Sequence, residues 1–263
     1  MLEEVKQILA LCGIERVGII SIKDCDIINE RILPDEVKSA ILFCIPYRST
    51  AESANDGFSE YARIYDYHKY ASSLYEDITE KMSDATGYMF YGFCDHSPIN
   101  EKTAIAKCGL GVIGRNSLFI DNVYGSFVFI GSILTNAETE SNPCGINTCI
   151  NCQKCVTACP AGAICEKGID RFKCLSAISQ KKNKSDEEKL SLKTHNIVWG
   201  CDICQNVCPY NKNAKISPIP YFKNTRIGKI NKAFIENLTD DEFKKYAFSY
   251  KGRKIVLDNI DFI

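Results

Sequence analysis

The sequence predicts a mixed α/β or α+β domain followed by a compact cysteine-rich module. Two observations support this division. Segments typical of strands and helices are interleaved over residues 1–136, and ten of the 15 cysteines fall between Cys144 and Cys208. Interleaved strands and helices are typical of α/β and α+β folds. Cysteines this dense in one stretch indicate metal or cluster binding rather than a disulfide framework.

The elements of the first part follow from the spacing of apolar residues. Helical spacing predicts helices at 2–12, 57–84 and 99–109. Short apolar runs bounded by turn residues predict strands at 16–22, 39–47 and 87–94, and two more within 117–136. Later in the chain, residues 179–191 are polar and predict an exposed insertion, and the tail from Ser217 predicts a helical segment with basic residues.

The composition excludes several classes of protein. With 32 Lys and Arg against 33 Asp and Glu, the net charge of −1 gives no bulk attraction for nucleic acid. A hydrophobic fraction of 45% argues against global disorder. No apolar run reaches about 18 residues, so no membrane span is expected. Glu3 and Glu4 stand where a signal peptide would be cationic, so we expect a cytoplasmic protein whose thiols stay reduced.

The cysteine-rich stretch contains two groups with defined spacing. Residues 149–160 read C-x₂-C-x₂-C-x₃-C-P, the run with which bacterial ferredoxins bind a [4Fe–4S] cluster. Residues 201–209 read C-x₂-C-x₃-C-P, which lacks one cysteine of that run, and Cys174 lies between the groups to supply the missing ligand. Zinc is the alternative, because C-x₂-C pairs also hold Zn²⁺. A zinc ribbon, however, requires neither the third cysteine nor the two Cys-Pro endings, so the pattern favours two [4Fe–4S] clusters.

The fourth cysteine of such a run ligates the other cluster in two-cluster ferredoxins. Crossing the chain in this way predicts one cluster on Cys149, Cys152, Cys155 and Cys208, and the other on Cys159, Cys174, Cys201 and Cys204. Two cysteines of the stretch, Cys144 and Cys165, have no predicted role. The five remaining cysteines lie singly in apolar surroundings and are predicted to be core residues: Cys12, Cys25, Cys44, Cys94 and Cys108.

Gly109, Gly111 and Gly114 match the G-x-G-x-x-G pattern of dinucleotide-binding loops. That interpretation requires a strand before the glycines and a helix after them. Here a helix is predicted before them and a strand after them. We therefore interpret the glycines as a loop in which the backbone approaches a bulky neighbour closely.

Several segments resemble the epoxyqueuosine reductase family. Residues 95–118, DHSPINEKTAIAKCGLGVIGRNSL, are similar to that family's D-S-x-P-v-x-E…A-G-L-G-W-x-G-K-N-T-L segment. Residues 61–70 resemble the family's Y-A-x-G-x-D-Y-H-K segment, and residues 125–133 resemble its G-S-F-F-L-G-E segment. Residues 200–212 resemble its Y-G-C-D-x-C-Q-x-V-C-P-W-N-K segment, and LTDDEF at 238–243 also has a counterpart. The motifs occur in order over residues 40–258.

The resemblance implies a corrinoid-binding α/β (α+β) reductase domain with a bacterial-ferredoxin-like module for two [4Fe–4S] clusters. The implied cofactors are those clusters and a cobalamin. The implied reaction removes the epoxide oxygen of epoxyqueuosine in the anticodon loop of tRNA to give queuosine. An external electron donor such as flavodoxin or ferredoxin is expected, and the protein is expected to be a monomer. The predicted parts are a cobalamin-binding domain at 1–138, a cluster module at 139–216 and a helical tail at 217–263.

The resemblance also assigns residues to the reaction. The family's proton-donating carboxylate falls on Asp95, although Asp-x-x-Pro before a helix also predicts a helix N-cap there. The implied corrinoid-binding residues are Tyr61, His68, Arg115, Asn116, Ser117 and Ser126. For His68, packing on a helix is the alternative. For Trp199, shielding of a cluster and packing in the core are both open.

The sequence departs from the family pattern in places. Ser132 stands where the family has Glu, and only residues 23–38 join the first two predicted strands, where the family has a longer substrate-pocket segment. A short form without the family's C-terminal helical-repeat domain is expected. Five basic residues of the tail either contact tRNA phosphates or form a solvated surface: Lys244, Lys245, Lys251, Arg253 and Lys254. Two other functions stay open: a corrinoid and iron–sulfur reductase for another substrate, and a ferredoxin-type electron carrier.

Overall fold

A computed structural model describes residues 2–52, 54–166 and 168–263. The chain forms two compact units. The first comprises residues 1–47, 68–114 and 118–150, and the second comprises residues 48–67, 115–117 and 151–263. The division into a cobalamin-binding domain, a cluster module and a helical tail stays a prediction. Within the described part of the chain, no helix has both the length and the apolar character needed to cross a membrane.

The first unit is built on a four-stranded antiparallel sheet. Its strands are β1 (Val17–Ser21), β2 (Ser39–Pro46), β3 (Phe90–Phe93) and β6 (Val128–Thr135), in the order β1-β2-β6-β3. All residues of β2 are buried, because β2 is a central strand with neighbours on both edges. Its unbroken apolar sequence is the reason it could be predicted. A two-stranded ribbon of β4 (Gly111–Ile113) and β5 (Phe119–Asp121) completes the strands of this unit, and all five predicted strands are confirmed.

Three helices accompany this sheet: α1 (Leu2–Leu11), α2 (Tyr67–Thr86) and α3 (Glu101–Lys107). The predicted order around the glycine-rich loop is confirmed, because α3 precedes it and β4 begins within it. Gly109 has a φ of +74°. A Cβ added at Gly111 would lie 2.1 Å from the carbonyl oxygen of Ile120, so the loop accommodates a backbone contact.

The prediction of one helix over residues 57–84 is wrong in its first third. The helix begins at Tyr67, and residues 57–66 contain a 3₁₀ turn, Glu60–Arg63, and isolated β-bridges at Phe58 and Tyr65. In the second unit, Arg63 is almost fully buried, and its guanidinium pairs with Asp56 and donates to the carbonyl oxygen of Gly228. The charged residues of this stretch therefore serve buried contacts rather than the solvated face of a helix.

Over its described residues, the second unit contains short helices and one two-stranded ribbon. Its helices are α4 (Lys154–Ala158), α5 (Leu175–Ser179), α6 (Asp186–Thr194), α7 (Ile203–Asn206), α8 (Pro220–Thr225), α9 (Lys232–Asn237), α10 (Asp240–Phe243) and α11 (Arg253–Phe262). Its ribbon pairs β7 (Ile164–Cys165) with β8 (Gly168–Ile169). Trp199 is fully buried in an apolar cluster with Phe58, Phe248 and Val256, so packing accounts for this side chain.

Residues 179–191 are largely exposed, as predicted, with Ser179 the one buried residue among them. Helix α6 begins in this segment with a capping box between Ser185 and Glu188. Leu192, which follows the segment directly, is fully buried against Leu175 and Ile178.

The tail is helical, as predicted, but it is divided into short helices. Gly252, with a φ of +91°, separates α11 from the 3₁₀ turn before it. Three of the five basic tail residues pair with acidic neighbours: Lys244 with Asp241, Arg253 with Asp240, and Lys254 with Asp258. These pairs reduce the positive charge available for phosphates and favour a solvated surface for this part of the tail.

Candidate active site and cluster centre

Helices α4 and α7 pack against each other and bring cysteines of the two sequence groups together. Cys155 lies in α4, Cys204 lies in α7, and Cys174 is the N-cap residue of α5. Cys204 lies within electrostatic range of both Cys155 and Cys174, and Cys201 lies within range of Cys204 and Cys174. The fold thus gathers thiols at α4, α5 and α7, and the pairs within range from different elements are 27 to 49 residues apart in the chain. Cys174, Cys201 and Cys204 belong to one predicted ligand set, and Cys155 belongs to the other.

Three of these thiols accept hydrogen bonds from N–H groups. The backbone N–H of Ala163 donates to Cys159 Sγ over 3.3 Å, and the backbone N–H of Ile203 donates to the sulfur of Cys201. The side-chain amide of Asn116 donates to the sulfur of Cys204. All three acceptors belong to the predicted set Cys159, Cys174, Cys201 and Cys204. N–H donors aimed at sulfur stabilise thiolates, so the donor set fits a [4Fe–4S] cluster.

Burial opposes the effect of these hydrogen bonds, because it favours the neutral form of the uncoordinated thiols. It raises the pKa of Cys201 to about 12 and the pKa of Cys204 to about 11. Both thiols are therefore protonated at neutral pH before iron binds, and cluster insertion releases their protons.

The other cysteines differ in exposure. In the predicted set Cys149, Cys152, Cys155 and Cys208, Cys152 is exposed and the other three are partly buried. Among the predicted core cysteines, Cys44 is buried, and Cys25 and Cys108 are partly buried against the same apolar cluster. Cys12 is partly buried, and Cys144 and Cys165 are exposed.

Asp95 and His68 meet in the first unit. Asp95 follows β3, and His68 lies in the first turn of α2. Their Oδ2 and Nε2 atoms are 2.9 Å apart, with about half of each side chain exposed. Asp95 has a φ of +61°, a left-handed conformation that Asp tolerates better than most residues. The N-cap of α3 is Asn100, whose Oδ1 accepts from the backbone N–H of Thr103, so Asp95 is not the helix cap.

Cys94 belongs to the same site, which the sequence did not indicate. A ring nitrogen of His68, the sulfur of Cys94 and a carboxylate oxygen of Asp95 all lie within 4.8 Å of one another. Cys94 was predicted to be a core residue because it ends an apolar strand. In the structure it lies just beyond β3, close to His68 of α2.

A second polar group, also missed from the sequence, lies next to Asp95. Ser132 Oγ, on β6, is 2.5 Å from Glu101 Oε1 and 3.2 Å from Ser97 Oγ. The pKa of Glu101 is raised to about 7, mainly by burial. The charge of Asp95 adds to this rise, and the hydrogen bond from Ser132 opposes it. The signal that could have identified this group is Ser132, where the family motif has Glu.

The remaining predicted corrinoid-binding residues are distributed over both units. Ser126 is buried in the first unit. In the second unit, the Tyr61 hydroxyl accepts from Gln180 Nε2 over 3.1 Å, and Ser117 Oγ accepts from the backbone N–H of Ile169 over 3.1 Å. Asn116 faces Cys204 rather than solvent.

Arg115 provides the test of whether these residues fit a bound corrinoid. Its Nε is buried and has no hydrogen-bond partner among the described residues. Buried donors are nearly always paired in folded proteins, so an acceptor from outside the chain is expected there. The amide oxygens and the phosphate of a cobalamin are acceptors of this kind, so the residues present fit the group.

The fold and the cysteine centre define the class of protein as an iron–sulfur oxidoreductase. Residues 148–211 match the model of a "4Fe-4S double cluster binding domain". An epoxyqueuosine reductase of Cellulophaga algicola is 30% identical over 248 residues, which are 90% of this chain and 80% of that relative. The chain belongs to the epoxyqueuosine reductase family.

Solved structures show the same fold. An epoxyqueuosine reductase crystallised with an epoxyqueuosine-modified tRNA-Tyr stem loop matches with a TM-score of 0.84 at 21% identity, covering 99% of this chain and 80% of that one. A reductive dehalogenase described as B12-dependent matches with a TM-score of 0.51 at 16% identity, covering 96% of this chain and 36% of that one. The predicted fold class is confirmed.

Proposed function

We propose that this chain reduces epoxyqueuosine in tRNA to queuosine with a bound cobalamin and two [4Fe–4S] clusters. The observation that carries the proposal is the Asp95–His68 pair, which is open to solvent at the end of β3 in a chain of the epoxyqueuosine reductase family. A reductase of this kind needs a proton donor beside the reacting oxygen. The pair supplies one.

Asp95 and His68 hold a proton between them in a hydrogen bond of 2.9 Å. When bound, the cobalamin and the clusters supply the two electrons that break the carbon–oxygen bonds. Asp95 delivers a proton to the oxygen as negative charge develops on it. His68 orients the carboxyl group and stabilises it after the proton has left.

Eight cysteines bind the two clusters in this proposal. One cluster is held by Cys149, Cys152, Cys155 and Cys208, and the other by Cys159, Cys174, Cys201 and Cys204. The three N–H donors at Cys159, Cys201 and Cys204 support the second set. Electrons enter from an external one-electron donor of the flavodoxin or ferredoxin type.

The corrinoid is held by Tyr61, His68, Arg115, Asn116, Ser117 and Ser126 in this proposal. The unpaired Nε of Arg115 is the strongest support for a ligand near residues 115–117. The macromolecular substrate is tRNA, as in the related complex with a modified tRNA-Tyr stem loop. We expect the protein to act in the cytoplasm as a monomer.

A second candidate function is a reductase with the same cofactors and another substrate. The short connection at residues 23–38 favours it, because the family's substrate-pocket residues have no counterpart there. In the structure, this connection forms two 3₁₀ turns, Ile22–Asp24 and Glu30–Ile32. An electron carrier without its own substrate would need neither a corrinoid nor Asp95.

One experiment separates these functions. The anaerobically reconstituted full chain is incubated with cobalamin, reductant and epoxyqueuosine tRNA, and the nucleosides are identified by mass spectrometry. The proposal predicts queuosine from the wild type, and a loss of roughly 100-fold or more in rate for Asp95→Asn. Asp84→Asn changes an exposed aspartate on α2 and serves as the matched control. Corrinoid uptake without queuosine formation would favour another substrate, and cluster reduction without corrinoid uptake would favour the electron carrier.

A further inference from the structure

Reducing an epoxide to an alkene consumes two protons as well as two electrons. Both carbon–oxygen bonds break, the two carbons form a double bond, and the oxygen leaves as water. The electrons come from the external one-electron donor through the clusters. The Asp95–His68 pair accounts for one proton at a time, so a second proton has to reach Asp95 during each turnover.

Glu101 is placed to store this proton. It is the first residue of α3, and its half-buried side chain lies against the buried Ser132 of β6. The Glu101 Oε1 to Ser132 Oγ distance is 2.5 Å. A serine hydroxyl can donate to an ionised carboxylate or accept from a protonated one. Ser132 therefore serves Glu101 in both protonation states.

A chain of hydroxyl groups leads from Glu101 to the loop that carries Asp95. Ser132 Oγ lies 3.2 Å from Ser97 Oγ, and Ser97 follows Asp95 by two residues. The negative charge of Asp95 acts on Glu101 directly and raises the pKa of its carboxyl group. The two carboxyl groups are coupled.

The titratable groups that surround Glu101 are consistent with this role. From α2, Tyr75 packs on the backbone of β3 at Gly92 and lies within electrostatic range of Glu101, Cys94 and Asp95. Burial raises the pKa of Tyr75, so it stays neutral. From the loop before β2, Asp26 contacts α3 at Thr103 and Lys107, and Lys107 balances its charge.

We infer that Glu101 stores the second proton of the reduction and returns it to Asp95 through Ser132 and Ser97. The inference rests on the proposed function. It adds a residue that acts through Asp95, and it gives Ser132 a role at a position where the family motif has Glu.

The protonation of Glu101 is measured first on the full chain without added cofactor. Burial raises the pKa of this carboxyl to about 7, so its proton is held below pH 7 and lost above it. Infrared spectra between pH 5 and pH 9 should show a carboxyl band that disappears near pH 7. The band should be absent in Glu101→Gln and present in Glu138→Gln, the control, whose side chain is 77% exposed. A wild-type spectrum without such a band would overturn the inference.

Single-turnover rates of queuosine formation are then measured against pH. Wild-type rates should fall above about pH 7. Glu101→Gln should be about 100-fold slower and lose this dependence, because it cannot store a proton. Ser132→Ala removes both the relay hydroxyl and the hydrogen bond that lowers the pKa of Glu101, so it should slow the reaction and move the fall in the remaining rate to higher pH. If the wild type turns over and Glu101→Gln matches its rate and pH profile, Glu101 has no such role. If the wild type makes no queuosine, the proposed function itself fails.

Discussion

Asn116 offers a direct test of the arrangement around the second predicted cluster. Its side chain is buried, and its amide donates a hydrogen bond to the sulfur of Cys204. Replacing Asn116 by Leu keeps a side chain of similar size but removes the donor. Hydrogen bonds to cluster sulfur favour the reduced, more negative cluster. Asn116→Leu should therefore lower the reduction potential of this cluster.

The size of the shift follows from the one hydrogen bond that is lost. A difference of about 1 kcal/mol between its strength in the two redox states corresponds to about 40 mV for a one-electron couple. Two other N–H donors, from Ala163 and Ile203, remain on the predicted ligands Cys159 and Cys201. The cluster should therefore still assemble in the variant.

A redox titration followed by electron paramagnetic resonance measures both clusters in one sample. One potential should fall by about 40 mV and the other should stay within about 10 mV of wild type. Asn122→Leu, at an exposed position of the first unit, is the matched control and should move neither. An unchanged potential in Asn116→Leu, or a rise, would refute the argument that this amide acts on a cluster ligand.

Two further predictions concern the stability of the two units. Leu192→Ala should lower the free energy of unfolding by about 2–4 kcal/mol in urea titrations, since Leu192 is the fully buried residue of α6. Leu190→Ala, at an exposed position of the same helix, is the control. Equal losses in the two variants would contradict the role of Leu192 in anchoring α6. Arg16→Met should lower the free energy of unfolding by about 2–3 kcal/mol in the same assay, because the buried carboxylate of Asp121 loses the Arg16 guanidinium 2.9 Å away. Restored stability in the double variant Arg16→Met/Asp121→Asn would support this cause. An unchanged free energy of unfolding in Arg16→Met would contradict it.

The strands and the cluster motifs were predictable from sequence because both are local patterns. The apolar run of β2 marks a strand buried on both faces, and the spacing of Cys149, Cys152 and Cys155 is fixed by the geometry of a cluster. Neither prediction depends on which elements meet in the folded chain.

The polar site next to β3 could not be predicted in the same way. It arises where α2, α3 and β6 converge on the end of β3, so Cys94 and Glu101 acquire partners from distant segments. A sequence pattern shows that Cys94 ends an apolar strand. It does not show that His68 lies across from it, so the apolar interpretation prevailed.

Residues 57–66 were mispredicted because their charged residues resemble solvated ones. Arg63 is buried with Asp56. Periodicity averages over a segment, whereas burial here depends on single side chains and their long-range partners.

In the proposed reaction this chain depends on a bound corrinoid. The most direct measurement is the binding of cobalamin to the anaerobically purified full chain, after iron and sulfide analysis has shown that both clusters are present. We expect one bound cobalamin per chain, with an altered cob(II)alamin resonance spectrum. Arg115→Met should weaken this binding, because the buried Nε of Arg115 would no longer meet its acceptor. Protein with full clusters and no cobalamin binding would contradict the account.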